Sequence, residues 1–341
     1  CPADQGCFDG QCIAACEAVA EHEGNLGCAF SAATPPGTGA GWPGAEGQSL
    51  LGPCYAAFVA NTWSRPAKLS LSYGGQPIDL SAYARIPSGP PPHPSYEPLP
   101  PEGVPPGEVA VVFLRHDPQA NNAGIPLTCP VTPAITHTTA PAGSGRGSGF
   151  RITSDTPISA YALHSYGGAW GFLPSATLLI PESTLSTDYV VVAPHGDYVN
   201  PVLAGQRWVN IVGVGASTSV TITPRTQLPA GPGLPAAPAS QPTTVQLAAG
   251  ETVQWLGLGS DPTGAVIEAS QAVAVFAGNT YLRVVGAESV DGGHDASHQQ
   301  IPPVAALGHE YVGGGVVTRL ANLTHETVFY RLMGVADGTL L

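Results

Sequence analysis

Apolar residues alternate with small or polar ones in short runs along the chain, the period-two pattern of half-buried β-strands. The clearest case lies between Gly264 and Val312, where Ala265–Glu268 and Ala272–Ala277 are two such runs across a short turn. An earlier stretch, FRITSDTPISAYALHSYG, carries the same phrase. Aligning Ile152 with Ile267 gives 267 − 152 = 115, and Ile158 with Val273 gives 273 − 158 = 115. Tyr189 aligns with Tyr311 at 311 − 189 = 122. Two strands that follow a glycine, Glu108–Arg115 and Glu251–Leu256, echo one another. So do the hairpin-like stretches Tyr55–Tyr73, Trp208–Pro224 and Val328–Leu341. The pattern predicts an all-β protein, an antiparallel hairpin meander with internal duplication. It is expected to be propeller-like or, alternatively, built as tandem β-sandwiches.

Residues 1–53 read as a short disulfide-rich N-terminal segment, with one helix over Cys12–Gly24. Residues 54–341 read as the repeated all-β domain: repeat one at about 54–204, repeat two at about 205–324, and the start of a third at 325–341. The proline-rich stretch Ser88–Glu108 is expected to be an extended surface connection. The glycine-rich GSGRGSG (Gly143–Gly149) reads as a flexible turn, and Leu228–Pro242 as a low-complexity loop.

Charge narrows the functional classes. Charged residues make up 10% of the 341, against about 25% in ordinary globular chains. The 24 acidic and 11 basic residues give a net charge of −13, which predicts no nucleic-acid partner. No apolar run is long enough for a transmembrane segment. Five of seven cysteines fall within the first 28 residues, a density that points to disulfides in an exported protein, extracellular or at the cell surface. The candidates for pairing are Cys7, Cys12, Cys16, Cys28, Cys54 and Cys129. The odd count leaves two readings of Cys1: a lipid anchor, or a bridge to a cysteine outside this sequence.

Motifs for catalysis are missing: there is no GxSxG elbow, P-loop, HExxH or dinucleotide turn, so no catalytic residue and no resident cofactor are expected. The densest polar stretch is DGGHDASHQQ, in which His294, Asp295 and His298 form a candidate divalent-metal site if the loop folds back. A second candidate is aromatic. Tyr166, Trp170 and Phe172, with Tyr161 nearby, surround a glycine-rich loop where rings would stack on a sugar or anchor a protein.

One ordered set of phrases resembles a known family. It runs through CEAVA, NLGCAF, FVANTWSRPAKLSL, PPGE, ITSDTPISAYALHS, AVAVFAGN and HDASHQQIPPVAALGHEYV. In that order they resemble the IgGFc-binding protein N-terminal domain, from about Ala15 to the C-terminus. The resemblance implies a secreted member of bacterial, myxobacterial type. Where family members often carry Cys-Asp-His-Leu, this chain has His294, Asp295, Ala296 and Ser297. The expected function is a non-catalytic extracellular or cell-surface binding and adhesion module engaging a protein or glycan partner. The alternative is a self-associating structural subunit of a surface layer or filament, and the third a metal-dependent hydrolase.

Overall fold

The computed structural model describes residues 1–22, 24–37, 54–90, 94–116, 121–122, 125–126, 128–166, 174–194, 205–257, 261–282, 284, 295–315, 317–318 and 327–340. At the N-terminus β1 (Gln5–Phe8) and β2 (Gln11–Ala14) form a hairpin that runs into α1 (Ala15–Ala20), the single α-helix among the described residues. The predicted helix is thus shortened at its start, because Gln11–Ala14 is held in the hairpin register opposite Gln5–Phe8.

The first β unit comprises β3 (Gly27–Ala32), β4 (Cys54–Ala60), β5 (Leu69–Tyr73), β6 (Gln76–Ile78), β7 (Ala84–Ser88), β8 (Ser95–Pro98) and β9 (Val109–His116). It continues through the two-residue strands β10 (Asn121–Asn122) and β11 (Ile125–Pro126), then β12 (Gly145–Ser148), β13 (Phe150–Tyr166) and β14 (Ser175–Leu179). The second unit comprises β15 (Asp188–Val190), β16 (Arg207–Gly213), β17 (Thr218–Thr223) and β18 (Thr243–Leu247). It ends with β19 (Glu251–Gly257), β20 (Val266–Ala269), β21 (Val273–Leu282) and β22 (Asp295–Ile301).

The long strand β13 organises the first unit. Its start pairs with β3 and β5, and its end with β4 and β14, so one strand belongs to both walls of a curled nine-stranded sheet. The change of partner falls at a register shift between Thr153 and Ile158, where Pro157 has no N–H to give the ladder. In the second unit the same phrase is two strands: β20 pairs with β15 and β17, and β21 pairs with β16 and β22. The orders β9-β4-β13 and β19-β16-β21 coincide. Ala60, opposite Val109 and next to Ser159, corresponds to Val212, opposite Thr252 and Ala274. Internal duplication therefore extends to individual pairs, with Ser159 and Ala274 separated by 274 − 159 = 115.

The sheets stack as layers, which corrects the propeller-like expectation in favour of the sandwich alternative. One core lies between the five-stranded sheet β12-β19-β16-β21-β22 and the four-stranded sheet β15-β20-β17-β18, filled by Val209, Ile211, Trp255, Val275 and Ile267. The opposite side of the five-stranded sheet presents Trp208, Val212, Ala274 and Phe276 to the first unit's core of Phe30, Tyr55, Val59, Phe150 and Ile152. The sheet's strand order is not the sequential meander of a propeller blade, and with both faces packed it is the shared wall of two sandwiches.

Several stretches differ from their sequence reading. Gly27–Ala32, within the segment read as cysteine-stapled, is the sheet strand β3, because its buried Phe30 and Ala32 fill the first core. GSGRGSG includes β12, which reaches over to pair with β19 in the second unit's sheet; Arg146 there bonds Glu251 and the Gly233 carbonyl. Within Leu228–Pro242, Leu228, Leu234 and Ala237 are buried in the second core. The prolines of Ser88–Glu108 are compatible with the edge strand β8, where a missing N–H costs no ladder bond. The described residues 327–340 form no strand.

Cys1 bridges Cys12, Cys16 bridges Cys28, and Cys54 bridges Cys129, leaving Cys7 free and exposed. This corrects two expectations. Cys7 has no bridge partner within the chain, and Cys1 pairs with Cys12 and not with a cysteine outside this sequence. A turn in which the Gln5 N–H donates to the Pro2 carbonyl folds Cys1 back beside Cys12. The bridges fit a secreted protein. Among the described residues no helix is long and apolar enough to cross a membrane.

Candidate functional site

Strand parity decides the fate of the proposed metal ligands. Asp295 and His298 lie in β22, where an odd separation of three turns their side chains to opposite faces. Asp295 is exposed, while His298 is 3% exposed. His294 lies outside the described residues, and no group of three metal-ligating side chains occurs among those described. The two described residues, Asp295 and His298, do not converge on one point.

His298 instead joins the seam between the two units. Its ring stacks on Phe276 at 5.6 Å and lies 6.0 Å from Trp208 and 6.4 Å from Tyr55. On the first unit's side, Arg115, Tyr55 and His164 stand next to one another across β9, β4 and β13. Burial pushes His298 down to about 3 and holds His164 well below the usual histidine range, Arg115 and His298 adding to the latter effect. Burial likewise raises the Tyr55 hydroxyl. Both histidines are therefore neutral packing groups at neutral pH. Gln300 completes the seam: its amide carbonyl accepts from the Ile180 N–H at 2.8 Å, and its own N–H donates to the Thr177 hydroxyl at 2.8 Å. A recess of about 460 Å³ opens along this seam, lined by Ser175, Val192, Ser297 and His298 among others.

The outer side of the first unit presents a different surface. Alternation along β4, β9 and β13 sends Tyr55, Val112 and Ala160 inward, and Phe58, Phe113 and Tyr161 outward. Tyr96 from β8 and Tyr166 from the end of β13 join them. Tyr166 lies 5.4 Å from Phe58 and 5.5 Å from Phe113, in tilted and edge-on contacts, and its hydroxyl meets that of Tyr96 at 2.5 Å. Desolvation, with the Tyr96 hydrogen bond adding to it, raises the Tyr166 hydroxyl, which therefore stays neutral at neutral pH. Phe58, Tyr96 and Tyr166 are half-buried, and Tyr161 is 43% exposed beside Phe58 and Leu178 on the neighbouring strands.

Of the aromatic residues singled out from sequence, Tyr166 belongs to this face, while Trp170 and Phe172 lie outside the described residues. Phe58, Tyr96 and Phe113 were missed. The phase of alternation in YAAFVA and EVAVVFLR, with large residues at both parities, was the signal that these strands have two apolar faces. Rings held edge to face on a sheet, with phenol groups among them, suit contact with another macromolecular surface.

The counterpart face in the second unit shows how such a surface is used. Tyr161 corresponds to Phe276, since 276 − 161 = 115, and Phe58, opposite Tyr161, corresponds to Asn210, opposite Phe276. Phe276 is 0% exposed because the first unit covers it.

No curated protein and no solved structure is significantly similar to the chain. Residues 175–341 match the family model described as IgGFc binding protein, which supports the family resemblance carried by the sequence.

Proposed function

We propose that this chain is a non-catalytic extracellular module that binds a protein partner through the outer aromatic face of its first unit. The observation that carries the reading is the set of rings Phe58, Tyr96, Tyr161 and Tyr166 on a sheet face, one of them 43% exposed and none used by either core. Tyrosines of this kind contribute large contact area at little entropic cost, and their hydroxyls give direction to the contact. The three disulfides and the family match at 175–341 support the extracellular, protein-binding assignment.

The test immobilises the purified, oxidised chain and measures binding of a panel: the chain itself, IgG Fc fragment, a mucin glycoprotein and a free-glycan array. Saturable binding of a protein is expected, weakened roughly tenfold or more by Tyr161→Ser. A thermal melt checks that this exposed substitution leaves the fold intact. Binding confined to free glycans, or protein binding indifferent to Tyr161→Ser, overturns the reading.

A further inference from the structure

Three cysteines gather at the N-terminal hairpin. Its strands β1 and β2 are joined by a two-residue turn of Asp9 and Gly10, both at positive φ, and their register sets Cys7 directly opposite Cys12. Hydrogen bonds at the open end of the hairpin give the phase of the ladder. The Ala15 N–H donates to the Asp4 carbonyl at 3.2 Å, whereas the Gln5 N–H turns away from β2 to the Pro2 carbonyl at 3.0 Å. Cys7 shares the phase of Gln5, so Cys7 and Cys12 are a non-hydrogen-bonded pair. Such pairs are the closer kind, with Cα atoms about 4.5 Å apart. A disulfide spans that separation, as it spans the 5.4 Å between Cys12 and its partner Cys1. Cys12 thus has two cysteines within bonding reach and is bonded to one of them.

The hairpin is held by more than that bridge. Gly6, on the opposite face from Cys7, is buried against α1 so closely that a Cβ there would stand 2.5 Å from the Ala18 methyl. The Trp63 indole donates to the Ala3 carbonyl at 2.8 Å. Breaking the Cys1–Cys12 bond therefore sets Cys1 loose and leaves β1, β2 and their register in place. Cys1, Cys7 and Cys12 are all exposed, so neither attack nor release meets a packed core.

We propose that Cys1, Cys7 and Cys12 form a thiol–disulfide exchange site, through which the chain couples covalently to an extracellular protein carrying an accessible disulfide. The Cys7 thiol gives its proton to solvent, and the thiolate attacks the Cys12 sulfur. The Cys7–Cys12 bond forms as the Cys1–Cys12 bond breaks, and Cys1 leaves as a thiolate that takes up a proton. The numbers of thiols and disulfides are unchanged, so no oxidant is consumed. The thiol, at Cys7 or at Cys1, then attacks one sulfur of the partner's disulfide. A mixed disulfide results, and the partner's other sulfur departs as a thiol. The relay moves the reactive group from a paired strand to a residue outside the ladder, where a bulky partner has room to approach. The site stands on the hairpin alone and is independent of the aromatic face.

To test this, the oxidised chain is treated briefly with N-ethylmaleimide at neutral pH. It is then digested with pepsin in acid, where thiolate is scarce and shuffling stops, and the labelled cysteine is mapped by mass spectrometry. Label is expected on both Cys7 and Cys1, with at least about a tenth on Cys1. Label confined to Cys7 overturns the exchange. Cys1→Ser, refolded in a glutathione buffer, is expected to contain a Cys7–Cys12 bond. Recovery of Cys7 and Cys12 as thiols, or as separate glutathione adducts, also overturns it, because the two sulfurs then fail to meet. In Cys7→Ser the Cys1–Cys12 bond should persist with no thiol to label. Coupling is read with oxidised glutathione as the probe disulfide: a single adduct per chain is expected, mapped to Cys7 or Cys1 and lost in Cys7→Ser. Adducts at Cys7 alone overturn the relay, and a wild type that forms none overturns the site. A thermal melt checks that each serine variant keeps the fold.

Discussion

Acidification from pH 7 to pH 5 should destabilise this protein, and His298 carries a calculable part of that loss. Its ring is 3% exposed, enclosed by Phe276, Trp208 and Tyr55, with neither ring nitrogen accepting or donating a hydrogen bond within the described residues. Burial depresses its pKa from 6.5 in the free side chain to about 3. The folded state thus binds fewer protons than the unfolded one, and stability falls as pH drops below 6.5 towards 3. From 6.5 down to pH 5, a span of 6.5 − 5 = 1.5 pH units, the unfolded ring is protonated while the folded one stays neutral. At about 1.4 kcal/mol per unit, His298 alone costs the fold about 2 kcal/mol there. His164, depressed chiefly by burial, adds a loss of the same sign. The Asp261 carboxyl, raised by desolvation but lowered further by its bonds to Arg331 and Thr263, lies below the usual carboxylate range and outside this window. Urea unfolding at pH 7, 6 and 5 is the assay, comparing wild type with His298→Phe. The ring-for-ring substitution keeps an aromatic side chain at the seam and removes the titrating group. The variant should lose about 2 kcal/mol less than wild type across the interval, whatever its stability at pH 7. Equal losses in the two proteins would refute the placement of a neutral, unpartnered imidazole between the units.

Removing the Cys54–Cys129 bridge by a double substitution to Ala opens a loop of sequence separation 75. Chain entropy then predicts a loss of about 4 kcal/mol, read as a lower urea midpoint, and an unchanged midpoint would contradict the pairing. Gly278→Ala should cost about 1–3 kcal/mol by thermal or urea unfolding. A methyl group there would stand 2.0 Å from the Ser297 carbonyl and 2.6 Å from the Trp208 ring, at the seam where β21 meets the first unit. A neutral result would mean that the seam is loosely packed.

The strands, their duplication and the exported, disulfide-bearing character were legible in the chain. They depend on local alternation, on phrases repeated at a spacing of 115 and on cysteine density, all of which are properties of short segments. Which face each strand buries was not legible. Tyr161 and Phe276 occupy the same place in the same phrase, and one is exposed while the other is sealed, because the first unit stands over Phe276 alone. Tyr189 and Tyr311 align as well, yet they part in the same way. The Tyr189 hydroxyl accepts from the Ser186 N–H and donates to the Val273 carbonyl beside β20, while Tyr311 is 69% exposed. His298 looked like a loop ligand because polar neighbours surround it in sequence. It is an interior residue because pairing β22 with β21 places it on the face turned to Tyr55, and a one-residue slip would have put it in solvent. The pairing of Cys1 with Cys12 likewise depended on a turn that no spacing rule specifies. Local pattern determines what a segment becomes, while burial is settled by contacts between segments far apart in the chain, and those contacts turned two copies of one unit into a closed seam and an open face.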